Sequence, residues 1–290
     1  MTIQEFDLTS WTVQPTEAMQ QAAINALENG KVVFMPSLPF VLLESEHKFL
    51  TPDLCTGSRK NVSYNINMQS LSGVSKQDSA HELQALMHRY ATYSRQLLAN
   101  LFPHYIPHMV QARTSYRPVE IAGRIPASYR KDDTRLHIDA FPATPTQGRR
   151  ILRVFSNVNP HGQARVWRVG EPFPNVVRNF APLVKAPLPG SAILQKLLKI
   201  TRGYRTMYDH YMLNMHNLMK ADHQYQRHVD QQEVHFPSGS TWFVYTDQVS
   251  HAAMAGQYVF EQTFHLPVHG LYDEHTAPLR VLQQHNFVNS

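Results

Sequence analysis

A single cysteine, Cys55, is all the thiol in this 290-residue chain, so an intrachain disulfide and a cysteine-ligated zinc cluster are both excluded. No stretch approaches the ~18 consecutive apolar residues of a membrane span. The N-terminus, MTIQEFDLTS, has acidic residues where a secretory signal needs basic ones, and no apolar core follows it. A cytoplasmic location is therefore expected. Runs of five or more basic residues are also missing, which argues against a nucleic-acid tail. Repeats and low-complexity segments are absent as well.

What is present is core material, with 42% hydrophobic residues, and a net charge of +5 that favours an anionic partner. GKVVFMPSLPF, from residue 30, reads as a short buried strand. Residues 77–101 place Leu83, Leu86, Met87, Tyr90, Tyr93, Leu97 and Leu98 at helical spacing. From about residue 109, the segments MVQARTSYRPVEI, RILRVFSNVNP, ARVWRVG, GSTWFVYT and QYVFEQTFHLPV read as strands of a curved sandwich or barrel.

A helical insert is expected over about 190–230, before the last two of those strands. It carries Ile193, Leu194, Leu197, Leu198 and Ile200 among Lys196, Lys199, Arg202 and Arg205. The commoner use of such a stripe is as a helix's core face. The alternative is contact with an anionic membrane. No linker divides the chain, so one domain is expected over 1–290. Its parts are an N-terminal strand and helical support over 1–108, a β-rich region over 109–270 and a C-terminal tail over 271–290.

The chemistry begins at DDTRLHIDAFP. With 17 histidines in the chain, a His-x-Asp triplet is nearly free by chance, at roughly 0.6 per shuffled sequence. Geometry adds more, because on an extended segment His137 and Asp139 point to the same side. That is two thirds of a 2-His-1-carboxylate site for Fe(II). His251, in TDQVSHAAMAG, is the best third ligand, placed at a turn between two strands. A second triplet, His228 and Asp230, follows a helical run, where positions i and i+2 diverge by about 200°. It also lies too close to His251 to thread the intervening strands. His210, His216 and His223 miss the i, i+4 spacing of helical zinc sites. If iron is bound, 2-oxoglutarate is the commonest co-substrate, and its far carboxylate needs a basic anchor. Arg153, on the strand after His-x-Asp, is suited to binding a carboxylate through two hydrogen bonds.

The run TRLHIDAFPATPTQGRRILRVFSNVNP, followed by ARVWRVGEPF and by YDHYMLNMHNLMKAD, resembles the Kdo hydroxylases, which act on the 3-deoxy-manno-octulosonic acid (Kdo) of lipopolysaccharide precursors. The likeness runs from about Gly30 to beyond His265. It implies a mainly β fold with helical additions, the double-stranded β-helix (jelly-roll, cupin-like) of 2-oxoglutarate oxygenases. It implies Fe(II), 2-oxoglutarate and O2, with hydroxylation at the 3-position of the outer Kdo of Kdo2-lipid A to give Ko. On that resemblance His137, Asp139 and His251 are the iron ligands, and Arg153, Trp167 and Arg117 belong to the co-substrate pocket. Arg124, Arg130, Lys131, Arg149, Arg150, Arg165 and Arg168 form a candidate cationic rim for the anionic glycolipid. Two alternatives stand beside it: a related oxygenase acting on another anionic substrate, and a non-catalytic cupin-like module that binds glycolipid. Peripheral contact with the inner membrane is a further expectation, and nucleic acid is not an expected partner.

Overall fold

The structure, a computed structural model, describes residues 2–57, 59–75 and 79–289. Alternation along the strands sets its architecture. In the strand Arg150–Asn157, Leu152 and Val154 enter one core while Phe155 enters another, since successive side chains point to opposite faces. The strands are β1 Ile3–Glu5, β2 Val32–Met35, β3 Val62–Asn65, β4 Ser70–Ser72, β5 Val110–Arg117 and β6 Arg150–Asn157. They continue as β7 Arg165–Val169, β8 Gln232–Phe236, β9 Thr241–Tyr245, β10 His251–Ala255 and β11 Val259–Leu266. Eight of them form one sheet in the order β1-β2-β9-β6-β11-β5-β3-β4, and β10-β7-β8 form a second. Two facing, mostly antiparallel sheets agree with the jelly-roll expectation.

The outer face of the large sheet is covered by helices α1 Glu17–Glu28 and α2 Ala80–Leu101. Thr16 starts α1 by accepting the Met19 N–H. From α2, Leu83, Leu86, Met87, Tyr90, Leu97 and Leu98 pack against Tyr64, Tyr116 and Phe260, and only Tyr93 of the expected stripe is exposed. The inner face is divided. Over β2, β9 and β6 the small sheet closes it with stacked aromatics, Phe236 on Trp242 at 4.0 Å between ring centroids and Trp242 on Phe155 at 5.2 Å. Over β5 and β3 the inward positions are polar and line an open groove.

A third core joins α3 Phe173–Phe180, α5 Met207–Ala221, α6 His223–His228 and α7 Pro278–Gln284 to Leu136, Ile138 and Ala252. Burying Leu136 and Ile138 fixes which way the alternate residues 137 and 139 face. Several expectations are corrected. Residues 1–108 supply four strands to the large sheet, where one was expected beside the helical support. Four strands, not two, follow the helical insert, and 271–290 folds into α7 against α3. In the helix α4 Ser191–Leu197 and the turn after it, Ile193, Leu194, Leu197, Leu198 and Ile200 are each more than half exposed, so they are not a core face. No helix among the described residues is long and apolar enough to cross a membrane.

Candidate metal centre

His137 and His251 meet as a backbone pair. Each N–H donates to the other's carbonyl, at 3.0 and 2.9 Å, which seats the two rings 4.7 Å apart. His251 is thus the first residue of β10 rather than part of a turn. The Asp139 N–H donates to the Thr246 carbonyl at 2.7 Å and brings the third side chain to the same place. The three candidate ligand atoms all lie within 4.8 Å of one another. His137 Nε2 and Asp139 Oδ1 are 3.7 Å apart. That is inside the ~4.2 Å that two ligands can span when each lies about 2.1 Å from one ion.

The other imidazole nitrogens decide the tautomer. His137 Nδ1 lies 2.8 Å from the Arg135 carbonyl and His251 Nδ1 2.8 Å from the Val249 carbonyl. A carbonyl only accepts, so both Nδ1 atoms carry the proton and both Nε2 lone pairs are free for a metal. Burial pushes the His137 imidazole well below its ordinary pKa, and His251, Lys220 and His216 push it further. Burial lowers His251 too, partly offset by Asp139. Burial alone would raise the Asp139 carboxyl, but the Arg153 guanidinium holds it well below the carboxylate range. Two neutral imidazoles and one carboxylate result, the donor set of a facial Fe(II) site.

Beside this set lies an excess of buried donors. Arg153 places Nη2 2.8 Å from Asp139 Oδ2 and donates from Nη1 to Glu261 Oε1 at 2.8 Å. Arg117 holds the other Glu261 oxygen from Nε and Nη2, at 2.8 and 2.6 Å. Trp167 stacks its indole on the His251 ring at 5.1 Å. Arg165, two residues before Trp167 and on the same face of β7, donates Nη1 to the Gly256 carbonyl at 2.8 Å and pairs with no carboxylate among the described residues. Burial, with Arg117 and Arg124 nearby, pulls its pKa down to about 9. Arg153 Nε, Arg165 Nε and Trp167 Nε1 are buried with no partner. Buried donors are normally satisfied, and an unpaired buried cation is costly, so this cradle fits a small dicarboxylate.

The chain matches the family model described as 3-deoxy-D-manno-oct-2-ulosonic acid (Kdo) hydroxylase over residues 10–286. The chain belongs to the Kdo hydroxylase family. It is similar to the apo structure of the Kdo hydroxylase KdoO, a non-heme Fe(II) alpha-ketoglutarate-dependent dioxygenase. The identity is 47%, covering 99% of this chain and 96% of that one, with a TM-score of 0.95. The KdoO complex with alpha-ketoglutarate and Fe(III) matches at 47% identity and TM-score 0.95, over 99% of this chain and 97% of that one. The cobalt(II) complex matches at 47% and 0.96, over 100% and 97%. No curated protein matches.

In this member of the Kdo hydroxylase family the arginines expected at a rim separate. Arg150 is fully buried, donating Nε to Asp247 Oδ2 at 2.8 Å and Nη2 to Gln248 at 2.7 Å, with its guanidinium 3.8 Å from the Tyr245 ring centroid. It braces the core instead of facing a ligand. Arg165 is inside the cradle, for the alternation reason given above. Arg168 donates to the Thr134 carbonyl at 2.6 Å and Arg149 to the Thr146 carbonyl at 3.0 Å, both half-buried. Arg124 bonds the Val119 and Glu120 carbonyls and faces Asp133. Arg130 and Lys131 are exposed on the short turn Tyr129–Lys131. His228 is exposed, as expected. His216, expected to lie outside any metal site on its spacing, stands beside this one: from α5 it sets its ring edge-on to His137, 5.2 Å away, and burial with Lys220 lowers its pKa to about 4. Its spacing from other histidines carried no signal, because its partner is a residue distant in the chain.

Proposed function

We propose that the protein is an Fe(II)- and 2-oxoglutarate-dependent dioxygenase that hydroxylates the 3-position of the outer Kdo of Kdo2-lipid A, giving Ko. The observation that carries this reading is the pairing of a His137, Asp139 and His251 donor set with three unpartnered buried donors beside it. Iron with 2-oxoglutarate and O2 supplies the oxidising power, with 2-oxoglutarate leaving as succinate and CO2. The protein's own work is to hold and to orient. The two Nδ1–carbonyl bonds aim Nε2 of each histidine at one point. Arg153 keeps Asp139 ionised, and Arg153, Arg165 and Trp167 receive the carboxylates of 2-oxoglutarate, with Arg117 holding Glu261 against Arg153. The stacked aromatics behind Trp167 exclude water from that end.

The same reading places the protein in the cytoplasm, touching the inner membrane where its lipid substrate resides. It is supported by the exposed apolar residues 193–200, interspersed with Lys196 and Lys199, a composition suited to an anionic bilayer. Incubation with Fe(II), 2-oxoglutarate, ascorbate and Kdo2-lipid A is expected to add one oxygen, read by mass spectrometry, and His137→Ala is expected to lose both metal and product. Iron-loaded wild-type protein that leaves the glycolipid unchanged overturns the reading. Glycolipid binding that survives in His137→Ala without any wild-type turnover favours a non-catalytic module instead.

A further inference from the structure

We infer that the uncovered polar half of the large sheet's inner face is the acceptor subsite, a groove that takes an acidic sugar and receives its carboxylate on Arg113 and Arg202. The inference rests on the Kdo hydroxylase reading above and assigns where its sugar lies. The groove, bounded by β3, β5, β11 and residues 141–144, has a volume of about 590 Å³. Arg153 and Glu261 form its inner end, and Arg153 touches Asp139, so the groove opens onto the metal ligands.

Its chemistry follows from strand alternation. Tyr64, Tyr116, Phe260 and Phe264 fill the core on the outer face of β3, β5 and β11. The inward neighbours on the same strands are Ser63, Asn65, Arg113, Ser115, Thr263 and His265. A sheet face open to water is commonly polar, and solvation alone accounts for polarity. It does not account for the kind of polarity here. The groove contains no lysine, and its one carboxylate, Glu261, is already held by Arg117 and Arg153. What remains is side-chain amides and hydroxyls, which pair with sugar hydroxyls, the His265 imidazole, and two exposed arginines whose guanidinium groups make no ion pair among the described residues. Arginine's planar fork suits a carboxylate. Phe141, two residues after Asp139, adds an apolar wall against which a sugar ring can lie.

Size and direction agree. Pockets for small organic ligands run to roughly 300–1,000 Å³, room for a sugar head group but not for lipid A chains. Arg202 enters the groove from the turn that follows α4, anchored by its N–H to the Ala143 carbonyl at 2.9 Å. The exposed apolar residues 193–200 therefore adjoin the groove mouth, and a head group can enter while its acyl chains stay outside.

The test uses Arg113→Ala and Arg202→Ala in the full-length protein. Each alanine variant is expected to raise the KM for Kdo2-lipid A about tenfold or more, the scale of one lost charge-assisted hydrogen bond. Co(II) and 2-oxoglutarate affinities are expected to stay within twofold. Free Kdo titrated into Co(II)- and 2-oxoglutarate-loaded protein is expected to bind wild type and to lose affinity in both variants. Variants that turn over Kdo2-lipid A with an unchanged KM overturn the inference, as does a variant that weakens 2-oxoglutarate instead. If wild type forms no hydroxylated product, the parent reading fails. The Kdo titration then decides the groove separately, since wild-type binding lost in the variants supports it and equal binding overturns it.

Discussion

A buried histidine is a metal ligand only if its second nitrogen is spoken for. Here the Arg135 and Val249 carbonyls accept from Nδ1 of His137 and His251, so no proton has to be moved before Nε2 can bind. The indole of Trp167 works on the same small scale, stacking on His251 while its N–H stays unpartnered. Trp167→Phe keeps the stack and deletes that donor. A hydrogen bond to a charged group is worth about 1.5–3 kcal/mol, so 2-oxoglutarate is expected to bind about 10- to 100-fold more weakly, with Co(II) affinity unchanged. Titration of 2-oxoglutarate into Co(II)-loaded protein checks this, and an unchanged affinity takes the indole out of the cradle. His137 and Asp139 were legible because a period of two needs only three consecutive residues. Arg165 was not, because ARVWRV shows that Arg165 and Trp167 share a face but not that this face is the buried one.

Elements were legible where their side chains declare a period. Helix α2 and strands β6, β9 and β11 carry aromatic and branched residues in register with their burial. Strand β10 has the sequence HAAMA, poor in the residues that favour strands, and forms because β7 and the His137 segment pair with it on either side. Helix α4 failed in the opposite sense. Its stripe has helical spacing, yet among the described residues nothing buries it, and periodicity cannot say what covers an apolar face. If a bilayer does, replacing Leu194, Leu197 and Leu198 by Gln is expected to abolish sedimentation with phosphatidylglycerol vesicles. Replacing Lys196 and Lys199 by Gln is expected to weaken it about 30-fold, at ~1 kcal/mol per basic residue near an anionic surface. Equal sedimentation of wild type and the triple-Gln variant would remove the membrane from the account of α4.

At the scale of the molecule, the site depends on parts that the chain brings from far apart. His137 and Asp139 lie between β5 and β6, His251 opens β10, Arg153 comes from the large sheet, and Arg165 and Trp167 come from the small one. Arg165, desolvated beside Arg117 and Arg124 and in no ion pair among the described residues, works against folding until an anion joins it. Metal and 2-oxoglutarate should therefore act as stabilising ligands of the whole fold. A ligand at 100 times its Kd contributes about 2.7 kcal/mol. A chain of 290 residues melts with an entropy of roughly 0.6 kcal/mol per kelvin, so the melting temperature is expected to rise by about 4 °C. Anaerobic scanning calorimetry with Co(II) and 2-oxoglutarate reads that shift, and His137→Ala is expected to remove most of it. A wild-type melting temperature unmoved by saturating Co(II) and 2-oxoglutarate would mean that the donors gathered from the two sheets do not share a ligand.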